Sequence, residues 1–144
     1  MPDNQEENML SAPNVDYLFI YGILRRGRGR IINCILNQRG IFIGDGIFRG
    51  KLYDIGHYPG AIPSSSSSDF VRGDVYLLPD PGSVLEVLDR FEGCIIDGSS
   101  KGEFCRKKAN IFLESGRSVF AWVYIYNRAI EGLKEIPSGD YFRR

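Results

Sequence analysis

The residue with the clearest claim to chemistry in this 144-residue chain is a glutamate near the end of an apolar helix. From Val84 to Glu92, at about 100° per residue, Val84, Leu85, Val87, Leu88 and Phe91 fill one continuous arc, while Glu86, Asp89 and Arg90 fall on the other side. Glu92 lands between Leu88 and Leu85, on the face that must pack against a core. Gly93 follows as a stop signal, so the carboxylate also sits at the negative end of the helix dipole. Desolvation and the dipole both disfavour ionisation and would raise its pKa, which suits a general acid/base. A frayed last residue turned back to solvent, or one paired with an arginine, fits the same spacing, so helix geometry leaves both readings open.

A second feature lies upstream. Tyr21-Gly22-Ile23-Leu24 closes an aromatic, β-branched run through a glycine. A strand leaving through glycine lets successive backbone N–H groups turn outward and cradle an anion such as a carboxylate, although an ordinary strand exit has the same signature.

These residues need elements to hold them. Asp16 to Tyr21 reads as a first buried strand, and Arg30 to Asn37 as a short helix with Ile31, Ile32, Ile35 and Leu36 on one side and Gly40 beyond its end. Ile41 to Ile55 reads as two β-rich pieces around a hairpin turn at Gly44-Asp-Gly46. Gly56 to Ser68, with Pro59, Pro63 and five serines, reads as loop; the serines allow a plain surface loop or a lid beside a pocket. Phe70 to Leu78 is a further strand, and Ser83 with Glu86 has capping-box spacing for the helix through Phe91. Glu103 to Leu113 and Arg117 to Asn127 form a second hairpin, with Trp122, Tyr124 and Tyr126 on one face by period two. Irregular structure is expected from Ala129 to Arg144, and residues 1–14 read as a disordered tail ahead of one domain over 15–144.

Composition narrows the function classes. Eighteen basic and eighteen acidic residues cancel, so no global field draws the chain to nucleic acid or to an anionic membrane, despite the local cluster Arg25, Arg26, Arg28 and Arg30. No apolar run approaches the length of a bilayer span, and the acidic N-terminus has no signal-peptide pattern, so cytoplasmic residence is expected. Cys34, Cys94 and Cys105 are irregularly spaced with only His57 as an imidazole, which argues against a zinc site or a disulfide framework. They read as small packing residues. His57, in Gly56-His57-Tyr58-Pro59, reads as a turn residue rather than the base of a cysteine nucleophile.

Taken in order, Tyr21-Gly-Ile-Leu-Arg-Arg-Gly27, Gly50-Lys-Leu-Tyr-Asp54 with Tyr58-Pro-Gly60, Val71-Arg-Gly-Asp-Val-Tyr76, Leu88-Asp-Arg-Phe-Glu-Gly93 and Trp122-Val-Tyr-Ile-Tyr126 resemble the gamma-glutamylcyclotransferase-like family, over about residues 16–141. Among its branches the chain looks most like the gamma-glutamylamine cyclotransferases. The resemblance implies an α+β fold, a small mixed β-barrel with flanking short helices. It further implies an acyltransferase or lyase with no metal or organic cofactor, acting on a small γ-glutamyl molecule and releasing 5-oxoproline. Glu92 matches the family's catalytic acid/base, Tyr21 to Leu24 its loop for the glutamyl end, and Tyr124 a tyrosine of the late strand, here expected as a pocket wall. Three positions depart from the family pattern, with Ile23, Cys94 and Phe104 where hydroxyl side chains are common. Those losses motivate the alternative of a non-catalytic protein that binds a small carboxylate. Oligomeric state is not legible.

Overall fold

The structure, a computed structural model, describes residues 15–22, 30–91 and 102–143, with the side chains of 30–33 excepted. Its elements in chain order are β1 (Asp16–Ile20), α1 (Arg30–Arg39), β2 (Ile41–Phe48), β3 (Gly50–Asp54), β4 (Pro59–Pro63), β5 (Val71–Leu78), α2 (Pro81–Phe91), β6 (Phe104–Leu113), β7 (Ser118–Tyr126) and the short β8 (Lys134–Glu135). A turn of 3-10 helix covers Tyr141–Arg143.

The strands join in the order β1-β5-β2-β6-β7, and β7 returns to β1, closing a five-stranded mixed barrel flanked by the two helices. Four of the junctions are antiparallel. A ring with an odd number of strands cannot alternate direction all the way round, so the fifth junction, Tyr17↔Ala121 and Leu18↔Trp122, is parallel. Asp16 fastens that seam from outside by accepting from Trp122 Nε1 at 3.0 Å and Lys108 Nζ at 3.3 Å. Beyond the seam the same edge of β7 takes up β4, parallel, at Ala61↔Ile125, and β4 carries β3 and β8 away from the barrel.

Alternation along the strands produces two apolar clusters. Phe19, Tyr21, Phe48, Val75, Ile111, Ala121 and Val123 fill the barrel, while Leu18, Ile20, Tyr76, Leu78, Phe104 and Tyr124 face outward and are covered by Leu36 of α1 and by Val84, Leu85 and Leu88 of α2. No helix among the described residues is long and apolar enough to cross a membrane.

The first strand, both helices, β5 and the β6–β7 hairpin stand where spacing predicts them, and Gly40 closes α1 by donating its N–H to Leu36 O at 2.8 Å. Other expectations are corrected. Gly44-Asp45-Gly46 is not a hairpin turn: β2 runs through it, with a bulge between Phe42 and Gly44, and pairs with β5 and β6 instead of β3. The glycine at 46 serves packing, since a Cβ there would lie 2.7 Å from Ile111 Cγ2 and 2.7 Å from Val75 Cγ2. Gly46 pairs with Gly73, where a Cβ would meet Ile20 O at 2.3 Å, so the narrow barrel is cleared at two facing positions.

The stretch expected as one loop contains β4, whose end residues Pro59 and Pro63 are placed as prolines are tolerated in strands, at the edges. The serines that follow form a turn tied by their own hydroxyls, with Ser64 Oγ donating to Asp69 Oδ2 at 2.7 Å and accepting from Ser66 N at 3.2 Å. At the start of α2 the capping box is replaced. Asp80 precedes Pro81, the Ser83 hydroxyl donates to Asp80 Oδ2 at 3.1 Å, and Glu86 pairs with Arg90 at 2.9 Å. Cys34 is exposed, so it is not the packing residue expected, and Cys105 is half-buried; Cys94 lies outside the described residues.

Candidate active site

One cavity of about 240 Å³ opens beside the outer cluster, where four parts of the chain converge. The exit of β1 contributes Ile20, Tyr21 and Gly22, and the β3–β4 turn contributes Tyr58 and Pro59. Phe91 comes from the end of α2, and Glu103, Phe104 and Tyr124 from the β6–β7 hairpin. Two predicted site features therefore meet: the strand-exit turn, through Tyr21 and Gly22, and Tyr124. Ile23, Leu24 and Glu92 lie outside the described residues. The serine turn at 64–68 is not among the described residues lining the cavity.

The β1 exit is held by side-chain chemistry. Tyr21 is buried, its hydroxyl donates to Tyr124 O, and it accepts from Ala61 N at 3.1 Å. That phenol bridges β7 to β4 where β7 leaves β1, so it sets the floor of the cavity and the strand junction together. Beside it a Cβ on Gly22 would sit 3.0 Å from Pro59 Cγ, a contact tighter than ordinary van der Waals packing, and glycine is what admits the proline there. Next to it the β3–β4 turn is tied by Gly56 N donating to Asp54 Oδ1 at 2.9 Å and Ile55 N to Tyr58 O at 3.0 Å; Tyr58 lines the cavity and His57 is exposed.

The α2 wall overturns part of the helical-wheel reading. Asp89, expected on the solvent side, is 1% exposed, whereas Val87 and Phe91, expected in the apolar arc, are 38% and 52% exposed. The buried arc runs over Val84, Leu88, Leu85 and Asp89, so the helix is turned about its axis by roughly 50° from the orientation that apolar residues alone would select. The cause lies on other strands. Arg106 of β6 forks onto the carboxylate, Nε to Oδ1 at 2.8 Å and Nη2 to Oδ2 at 3.1 Å, and Tyr124 donates its hydroxyl to Oδ1 at 2.7 Å. A carboxylate so neutralised and hydrogen-bonded can be taken out of water, where a lone one cannot. The guanidinium in turn lies over the Trp122 ring, 4.3 Å from its centroid.

Sequence reasoning also passed over the pair formed by Tyr58 and Glu103. The Tyr58 hydroxyl donates to Glu103 Oε2 at 2.6 Å, and both residues line the cavity. The strand start that carries Glu103 is anchored by Asn127 N to Glu103 O at 2.8 Å and by Arg128 Nη1 to Gly102 O at 2.6 Å. Phe104 is 3% exposed and packs between Tyr58 and Tyr126, with ring centroids 6.1 and 5.6 Å away. The one available signal was positional, since Tyr58 lies inside the Tyr-Pro-Gly motif.

A closed five-stranded barrel with a partly aromatic pocket at one strand exit, bordered by a helix end and by the half-buried Glu103 carboxylate, has the mostly apolar lining with few polar groups that small-molecule pockets share. Residues 18–143 match the family model described as "Gamma-glutamyl cyclotransferase, AIG2-like", and the chain belongs to that family. It is 34% identical over 128 residues to the YtfP protein of Escherichia coli (strain K12), named a gamma-glutamylcyclotransferase family protein, covering 88% of this chain and 96% of the relative. The solution structure of E. coli ytfP superposes with a TM-score of 0.61 at 33% identity, covering 89% of this chain and 97% of that one. The crystal structure of an aig2-like protein from Mus musculus superposes with a TM-score of 0.67 at 25% identity, covering 89% and 88%.

Proposed function

We propose that the chain is a γ-glutamylamine cyclotransferase that releases 5-oxoproline and a free amine, with Glu92 as its single acid/base. The substrate's α-amine attacks its own γ-carbonyl carbon, the new C–N bond closes a five-membered ring, and the bond to the departing amine breaks. Glu92 accepts the proton that the α-nitrogen loses and returns one to the leaving nitrogen, so no net proton is consumed. The attack is intramolecular, so the protein's main task is to hold the chain folded on itself.

The observation that carries this reading is the convergence of the Tyr21-Gly22 turn, Tyr124 and the end of α2 on one cavity. The buried residues of α2 support it further. They centre near 70° on the wheel that starts at Val84, and the sequence spacing alone, at about 100° per residue, would project Glu92 near 80° were the helix continued past Phe91. Family membership supports cyclotransferase chemistry in general. In this reading the backbone N–H groups of residues 22–24 hold the substrate's α-carboxylate. Tyr124 serves as a wall, and its phenolic proton is committed to Asp89.

The test is a panel of γ-glutamyl amines and γ-glutamyl dipeptides with 5-oxoproline measured. Turnover by the wild type and a loss of about 10²- to 10⁴-fold in kcat for Glu92→Gln, with the fold retained by circular dichroism, is the expected result. Saturable binding without 5-oxoproline from any panel member would instead make the chain a binding protein for small carboxylates.

A further inference from the structure

Glu103 has no role in the chemistry above, yet it is the one charged side chain among the described residues lining the cavity. It is half-buried, its position is fixed through the backbone by Asn127 and Arg128, and one carboxylate oxygen is oriented by the Tyr58 hydroxyl at 2.6 Å. The other oxygen, Oε1, has no hydrogen-bond partner among the described residues. The rings of Tyr58, Phe104, Tyr124 and Phe91 line the same cavity, with Tyr58 and Phe104 6.1 Å apart between centroids. An oriented carboxylate with a spare oxygen, set among aromatic faces, is an environment suited to an ammonium group, through a charge-assisted hydrogen bond and ring quadrupoles together.

We propose that Glu103, positioned by Tyr58, is the specificity-determining residue for the leaving group, and that the preferred substrates are γ-glutamyl derivatives of amines carrying a second, protonated nitrogen. This rests on the cyclotransferase reading and adds the substrate class to it. The glutamyl end occupies the Tyr21-Gly22 side, and the amine end extends toward the start of β6, where the cationic tail meets Oε1. Phe104 fits the same division of labour, since a phenyl ring in place of a phenol adds apolar surface for a methylene tail and leaves hydrogen bonding to Glu103.

The experiment compares γ-glutamylputrescine with its n-pentylamide isostere, in which a methyl replaces the terminal ammonium. For the wild type kcat/KM is expected to favour the cationic compound by about ten- to hundredfold, the range of one charge-assisted hydrogen bond, with the difference in KM and narrowing as salt is raised. Glu103→Gln, which keeps an acceptor for Tyr58, is expected to remove most of that ratio, and Tyr58→Phe to reduce it several-fold by releasing the carboxylate's orientation. Calorimetric binding of both compounds to Glu92→Gln protein gives the same ratio without turnover. A ratio near one in both kinetics and binding, or a ratio that survives Glu103→Gln, overturns the proposal. If wild-type protein makes no 5-oxoproline but the binding ratio holds and depends on Glu103, the catalytic reading fails and the charge assignment stands.

Discussion

The barrel interior and the layer beneath the helices are built from the same strands yet have opposite characters. Phe19 and Tyr21 of β1 point inward with Val119, Ala121, Val123 and Ile125 of β7, whereas Leu18 and Ile20 point outward with Trp122, Tyr124 and Tyr126. The inner set includes no charged side chain among its described members and is so tight that Gly46 and Gly73 must give way to their neighbours. On the outer side Asp89, Arg106, Tyr58 and Glu103 are gathered against apolar residues. A closed ring of five strands has too little internal volume for a ligand, so the interior supplies rigidity, and the pocket opens where β1 leaves the ring, lined by Phe19 and Tyr21 of the inner set together with Ile20, Phe104 and Tyr124 of the outer one. Alternation sorts the two layers residue by residue, and a slip of one residue in register would exchange them.

That division can be broken first on the outer side. Asp89→Ala removes the buried carboxylate onto which the Arg106 guanidinium forks and to which the Tyr124 hydroxyl donates, and it should lower stability by about 3–5 kcal/mol in a denaturant titration. Replacing both members, Asp89→Leu with Arg106→Leu, should recover much of the loss, because breaking a buried ion pair costs more than exchanging both of its members for apolar residues. If the double variant is no better than the single one, the pair itself is the source of stability and the outer layer is not the permissive side. Tyr21→Phe probes the boundary between the regions. It removes the hydroxyl shared by Tyr124 O and Ala61 N and should cost about 1–3 kcal/mol, read by the same titration. Its effect should appear in hydrogen exchange of β4 and the end of β7 before the rest of the barrel. The smallest effect belongs to the solvent face of α2. Glu86→Ala removes an exposed pair with Arg90 and should change stability by no more than about 0.5 kcal/mol, leaving both clusters intact.

Elements whose reasons are local were legible in the sequence. The aromatic run of β1, the period-two faces of β6 and β7, and the apolar spacing of both helices need no knowledge of distant residues. What escaped depends on partners remote in the chain. Gly44-Asp45-Gly46 carries turn chemistry in isolation, but Ile111 and Val75 make Gly46 a strand glycine. Asp89 looks like a solvent residue until Arg106, seventeen positions on, is placed against it. The pocket tyrosine at 124 and the glycine turn at 21–22 were anticipated and do meet, while the pairing of Tyr58 with Glu103 spans 45 positions and left no periodic trace.

The parallel junction has a thermodynamic corollary. It is registered by two residue pairs, against nine between β6 and β7, so it is the most sparsely paired link in the circle of strands. The Tyr21 clasp and the Gly22 corner lie directly after it, within the cavity. Any molecule that settles against that corner braces the circle where it is thinnest. Occupancy and closure of the strands are then linked equilibria, so a tight ligand acts as a sixth fastening for a five-part hoop and raises its resistance to heat by mass action.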